Sequence, residues 1–228
     1  MRLVFASNNA HKLAEVRAIM PAGVEVLSLH DIGFEQEIAE TGVTLEENSR
    51  IKAATVAAFI GERLEVRGER IDGIFADDTG REIDALDGQP GVYTARWYLL
   101  KGERLKVNGK RDAALTDERE VFAANRAKAL RELEGKSNRG AQFRTVITLI
   151  RPSAISHQPS VEQVSGVVRG RIATEEYGQG GFGYDPIFIP DGYAKTFGEL
   201  PSELKNTISH RARALENLKE KLRVENNK

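Results

Sequence analysis

The sequence predicts an α/β or α+β sheet protein, and residues 1–228 suffice for one large domain or two small lobes. Three observations predict it. Short apolar runs alternate early with segments whose apolar residues recur every three or four positions, strand-like runs cluster later, and no repeat or low-complexity linker interrupts them. A chain of 228 residues buries an adequate core without metal or disulfide staples.

Each element has a local reason. "RLVFA" reads as a strand and "SNN" as a tight polar turn. In "AHKLAEVRAIMP", Leu13, Val16 and Ile19 or Met20 keep helical spacing until Pro21 stops it. "VEVLSL" is a second strand. "TLEENSRIKAATVAAFIG" is a second helix, opened by the Thr44 and Glu47 capping box and ended by Gly61. "GIFAD" and "EIDAL" read as two strands, and "DEREVFAANRAKALRELEG" as a helix closed by Gly135. "AQFRTVITLI" and "EQVSGVVRGRIA" carry the β-branched enrichment of strands. After the glycine-rich "GQGGFGYDP" come a strand, "IFIP", and a last helix from about Ser202 or Ser209 through Leu222.

Composition narrows the function. The 33 basic and 34 acidic residues nearly cancel, so no surface is expected to coat a nucleic-acid polymer, and any anion site must be local. The absence of cysteine excludes disulfides, thiolate catalysis and Cys-ligated metals. Apolar runs fall far short of the roughly 18 residues of a spanning helix, and the N-terminus turns polar at Ser7, too early for a signal segment. The expectation is a cytoplasmic protein with no membrane partner.

Four stretches carry chemistry, each with a plainer alternative. In "SNNAHK" a polar turn precedes a helix whose free N–H groups suit a phosphate. An ordinary N-cap explains the asparagines equally, but Lys12 in the first turn opposes the dipole and asks for an anionic partner. Asp77 and Asp78 end a strand, so they point to opposite faces, and one of them addresses a given cleft. Such a carboxylate suits Mg²⁺, whereas an Asx-turn into Thr79 and Gly80 is the alternative. Glu40 is a further loop carboxylate, otherwise simply solvated. In "GQGGFGYDP" the glycines let backbone approach a ligand beside Phe182 and Tyr184, and Asp185 can bond a base edge; a turn with two core aromatics competes. On the last helix Ile208, Ala212, Leu215, Leu218 and Leu222 share one face, and Arg211 falls inside that stripe. His210 lies off it, where solvent exposure is the alternative. With Lys205 a turn earlier, three donors near a helix start favour an anionic or carbonyl-bearing ligand.

Taken in order, "SNNAHK", "AETGVTLEENSRIKA", "ADDTGREIDALDGQPGVYTAR", "GFGYDPIFIP" and "ELKNTISHRARAL" resemble the inosine triphosphate pyrophosphatase family over nearly the whole chain. The resemblance implies an elongated two-lobed mixed sheet with the active-site groove between lobes, and a homodimer. It implies Mg²⁺-dependent hydrolysis of ITP, dITP and XTP to the monophosphate and pyrophosphate. By resemblance, Ser7, Asn8, Asn9 and Lys12 hold the triphosphate with Lys52, while Glu40 and Asp78 carry Mg²⁺ and Asp78 accepts the proton of the attacking water. Thr79 keeps the hydroxyl of the family's usual serine. Phe182, Gly183 and Tyr184 border the purine, and Asp185, Lys205, His210 and Arg211 read its edge. Alternatives are a pyrophosphatase of the same fold for other modified nucleotides, and a nucleotide sensor that does not hydrolyse. Two departures stand out: Arg81 where an aliphatic residue is common, and the longer, more charged segments 62–72 and 98–118.

Overall fold

The computed structural model describes residues 1–61, 65–66, 68–99, 117–151 and 159–224. Of the two charged segments, 62–64, 67 and 100–116 lie outside the described residues. The elements follow as β1 (Arg2–Phe5), α1 (Ala10–Ile19), β2 (Glu25–Leu27), α2 (Leu45–Ile60), β3 (Glu65–Val66), β4 (Glu69–Arg70), β5 (Gly73–Ile83) and β6 (Pro90–Gly91). Then come α3 (Glu118–Glu132), β7 (Gly140–Arg151), β8 (Ser160–Ile172), β9 (Phe188–Pro190), α4 (Ser202–Ile208) and α5 (His210–Val224). The main sheet is ordered β2-β1-β5-β7-β8-β9, with β6 also on β5. Parallel pairs β1/β2 and β1/β5 coexist with antiparallel β5/β6 and β8/β9, so the α/β class holds with a mixed sheet.

The chain forms two compact units: Met1–Asp78 with Thr145–Gly166 and His210–Lys228, and Thr79–Arg144 with Val167–Ser209. In the first unit, Val4, Ala6, Ala53, Val56, Ile74 and Ala76 share one core with α2. Leu3, Phe5, Val16, Phe75, Leu215 and Leu218 share a second core with α1 and α5. Alternate residues of β1 and β5 thus serve opposite faces, which is why these strands read as unbroken apolar runs. Extending the alternation sends Asp77 to the Phe75 side, toward α1 and α5, and Asp78 to the Ala76 side, toward α2.

Connectivity adds a second constraint on this unit. The path β1-α1-β2 leads to one side of β1, and β2 returns through α2 to β5 on the other. Such a reversal opens a crevice at the carboxyl ends of the strands, the usual ligand position in α/β sheets. β1 ends there in Ser7, and β5, whose Phe75 pairs with Phe5, runs on to Asp77 and Asp78.

The second unit packs one core, including Ile83, Trp97, Leu133, Phe143, Tyr184, Phe188 and Phe197. Phe143 and Phe188 stack at 3.8 Å between centroids within it.

The caps of α2 are as expected, whereas α3 ends at its C-cap Leu133, two residues before Gly135. Thr44 and Glu47 form the complete capping box, and Gly61 ends α2 at φ 80. Three expectations are corrected. "GIFAD" and "EIDAL" are not two strands: β5 runs unbroken from Gly73 to Ile83, and Asp84–Leu86 form a 3₁₀ turn. No Asx-turn forms at Asp77 and Asp78, because side-chain cations satisfy both carboxylates while the backbone stays extended. The last helix is two helices, because Ser209 adopts an extended conformation, φ −68 and ψ 161, and caps α4 through its N–H to the Lys205 carbonyl. Ile208 accordingly packs in the second unit's core, not with Leu215 and Leu218. No described helix is long and apolar enough to cross a membrane.

Candidate active site

Candidate side chains gather in each unit, and the first unit holds an ion network at the carboxyl ends of β1 and β5. Asn9 is the N-cap of α1, its Oδ1 accepting the Lys12 N–H at 3.0 Å, and Ser7 Oγ accepts the Asn9 N–H at 3.3 Å. Asn8 is exposed. The Lys12 ammonium donates to Asp77 Oδ1 at 2.9 Å, so the anionic partner that the first-turn lysine asks for is, within the chain itself, Asp77. Asp77 also accepts from Arg211 Nε at 3.1 Å, and Arg211 Nη1 pairs with Glu15. On the opposite strand face Lys52 donates to Glu40 Oε1 and Asp78 Oδ1, both at 2.8 Å. The two aspartates face apart as the strand period requires.

Electrostatics follow burial. Asp77 is 1% exposed. Burial disfavours its charge, but Lys12, Arg211 and Lys52 outweigh that and hold its pKa well below the usual carboxylate range. Asp78 goes the other way, because burial outweighs Lys52 and Lys12 and raises its pKa. Lys12 is lowered, chiefly by burial, against the pull of Asp77. For Lys52, burial is overcome by Asp78 and Glu40, which raise its pKa.

Here three cations, Lys12, Lys52 and Arg211, meet four carboxylates, Glu15, Glu40, Asp77 and Asp78. Among these residues the carboxylates outnumber the cations by one, an imbalance that a bound cation would offset. Glu40 and Asp78 converge on one ammonium, so both carboxylates address one cation. Mg²⁺ takes one or two carboxylates plus substrate phosphates, and this pair fits that demand. Among the described residues no group of three or more acidic or histidine side chains forms a protein-only metal cage.

α2 presents Asn48 and Lys52 one turn apart, both buried. Asn48 Oδ1 accepts the Gly42 N–H at 2.8 Å while Lys52 grips Glu40, so the loop bearing Glu40 is held at two points. A Cβ on Gly42 would come within 2.7 Å of Asn48 Oδ1, which is why glycine stands there.

The second unit carries the aromatic loop. Asp185 Oδ2 accepts the Phe182 N–H at 2.8 Å and the Lys205 ammonium at 2.7 Å, and that ammonium sits 4.9 Å from the Phe182 ring centroid. Tyr184 is buried, and burial pushes its phenol pKa up. Gly183 adopts φ 65 and offers its carbonyl to Arg126 at 2.9 Å. Thr79 is buried on β5. His210, the first residue of α5 in the first unit, is 2% exposed, which overturns the solvent-exposed alternative. Arg211, 1% exposed, does not snorkel from the apolar face; its charge is met by Asp77 and Glu15.

Sequence reasoning left out Glu15, Asn48, Thr94 and Arg126. Glu15 had a signal: it stands three residues after Lys12, on the same helix face. Thr94 and Arg126 become visible only through partners distant in sequence, Tyr184 and Gly183, and Asn48 through Gly42 across the start of α2.

Comparison with known proteins is consistent along the chain. The Ham1 family profile matches residues 3–221. A dITP/XTP pyrophosphatase of Flavobacterium johnsoniae is 40% identical over 218 residues, covering 96% of each chain. One from Bacillus subtilis is 39% identical over 218 residues, covering 94% of this chain and 93% of that protein. Among solved structures, the Staphylococcus aureus Ham1 protein superposes with a TM-score of 0.75 at 32% identity, covering 99% of this chain and all of the other. A nucleoside-triphosphatase, or dITP/XTP pyrophosphatase, from Mycobacterium abscessus gives 0.64 at 35% identity, covering 96% and 98%.

Proposed function

The chain belongs to the Ham1 family, and from that premise we propose that it hydrolyses deaminated purine nucleoside triphosphates, ITP, dITP and XTP, to the monophosphate and pyrophosphate. The proposal takes residues 1–228 as one catalytic domain acting as a homodimer with Mg²⁺. The observation that carries it is the pairing of Glu40 and Asp78 on one lysine at the crevice where Asn9 and Lys12 open α1.

In this reading Ser7, Asn8 and Asn9 offer polar groups and the α1 N-terminus to phosphate oxygens, with Lys12 and Lys52 adding charge. Glu40 and Asp78 would hold Mg²⁺, which when bound supplies charge to the phosphates and to a developing leaving group. Asp78 accepts the proton of the attacking water; its raised pKa makes it a better base than an ordinary aspartate. Lys52 holds that carboxylate in place. Arg211, fixed by Asp77 and Glu15, is rigid before substrate arrives, as are Phe182 and Asp185 through the Lys205 contacts. Phe182, Gly183 and Tyr184 border the purine, while Asp185, Lys205, His210 and Arg211 read its edge. Hypoxanthine and xanthine carry a 6-carbonyl where adenine carries an amino group, so donors such as Lys205 or Arg211 favour them over adenine.

The test is a product-resolved panel of ITP, dITP, XTP, GTP and ATP with and without Mg²⁺. Pyrophosphate with IMP in one step, dependent on metal, is expected. Stepwise orthophosphate release through IDP, or ATP used as well as ITP, refutes the reading.

A further inference from the structure

Arg81 has no place in the reading above, yet it is a buried cation set in an aromatic core. Its guanidinium lies 4.9 Å from the Phe143 ring centroid and 5.5 Å from that of Tyr184. A Cβ on Gly183 would come within 3.5 Å of its Nη2, so guanidinium and loop backbone are nearly in contact. Its own strand is tied to the same place: the Arg81 N–H donates to Thr94 Oγ1 at 2.9 Å, and the Thr94 carbonyl is 3.4 Å from the Tyr184 hydroxyl. Arg126 bonds the Gly183 carbonyl at 2.9 Å. Gly183 and Tyr184 are therefore approached by Arg81, by Thr94 and by Arg126.

An arginine here does what an aliphatic residue cannot. A planar cation on a ring face fixes the ring's tilt as well as its position, whereas a methyl group only fills volume. Gly183 at φ 65 lacks side-chain restraint of its own, so its path depends on these neighbours. We propose that Arg81 is a positioning residue for the loop Phe182–Asp185: by fixing Tyr184 and Gly183 it presets where Phe182 and Asp185 meet the purine. The inference rests on the proposed function, since it assigns purine recognition to that loop.

The experiment compares wild type, Arg81→Leu and Arg81→Lys by steady-state kinetics on ITP, with the thermal midpoint measured for each. Leucine fills the slot without charge, so Arg81→Leu is expected to fold and to raise KM about tenfold, roughly the worth of one desolvated cation–π contact, with kcat within about twofold. Arg81→Lys, which restores a charge but not the planar guanidinium, is expected to recover only part of that loss, leaving KM about threefold above wild type. An unchanged KM in a folded Arg81→Leu overturns the inference, and so does a kcat that falls in step with KM. Should Arg81→Leu fail to fold, Arg81→Lys decides: a KM equal to wild type with a lowered midpoint assigns Arg81 to stability alone and overturns the proposal. Failure of the parent reading looks different, because wild type itself would then not turn over ITP.

Discussion

Asp77 is the side chain on which the stability of the first unit should depend most visibly. Its carboxylate, 1% exposed, accepts from Lys12 at 2.9 Å and from Arg211 at 3.1 Å. Asparagine keeps the shape and one acceptor but removes the charge. Each hydrogen bond to a charged group contributes about 1.5–3 kcal/mol, and breaking a buried pair costs about 3–5 kcal/mol. Arg211 keeps Glu15 in the variant and the amide oxygen still accepts one bond, so Asp77→Asn should cost about 3 kcal/mol, the lower end. The pH dependence has a definite sign. The folded pKa of Asp77 lies below its unfolded value, so this stabilisation is full above the ordinary aspartate range near pH 4 and is lost as pH falls toward the folded value. Wild type should therefore lose more stability than Asp77→Asn between about pH 5 and pH 3. Carboxylates outside this network, Asp31 included, titrate alike in both proteins and cancel in the difference. Urea unfolding followed by circular dichroism at the two pH values measures both quantities. A variant within about 0.5 kcal/mol of wild type at pH 7, or equal acid losses in the two proteins, refutes the reasoning.

Asp78→Asn should reduce kcat on ITP by at least about 10² with secondary structure intact, because it removes the proton acceptor and a metal-binding charge together. Asp77→Asn should lower kcat far less, and kinetics on both variants, with circular dichroism as the folding check, separates the roles. Gly166→Ala should cost about 1–3 kcal/mol or more, since the new Cβ would land on the backbone of His210 and Ala214, which cannot yield as a side chain would. Urea unfolding measures it, and a neutral result would mean that α5 shifts freely against β8.

How far the sequence reaches depends on the distance over which each feature is decided. The capping box at Thr44 and Glu47 and the helix end at Gly61 are set by residues within a turn of one another, and they read correctly from the chain. So did the opposite facing of Asp77 and Asp78, because a strand's period of two is a local property. That these residues turn the chain was a local inference too, and it failed. Lys12 stands 65 residues before Asp77 and Arg211 stands 134 after it, and both meet it only once β1, β5 and α5 are packed. Those cations remove any need for the carboxylates to seek their own backbone, and β5 runs through them. The break at Ser209 is similar. The helical wheel saw one continuous stripe, but Ile208 packs against the second unit's core while Leu215 is buried in the first unit's. Arg81 announced itself in sequence only as an unexpected charge, since its ring partners Phe143 and Tyr184 are brought to it by other elements. The sequence by itself determined which residues could carry charge, caps and periodicity, because those are properties of near neighbours. Which cation answers which carboxylate was decided by tertiary structure alone, because a buried charge is tolerated only where packing delivers its partner.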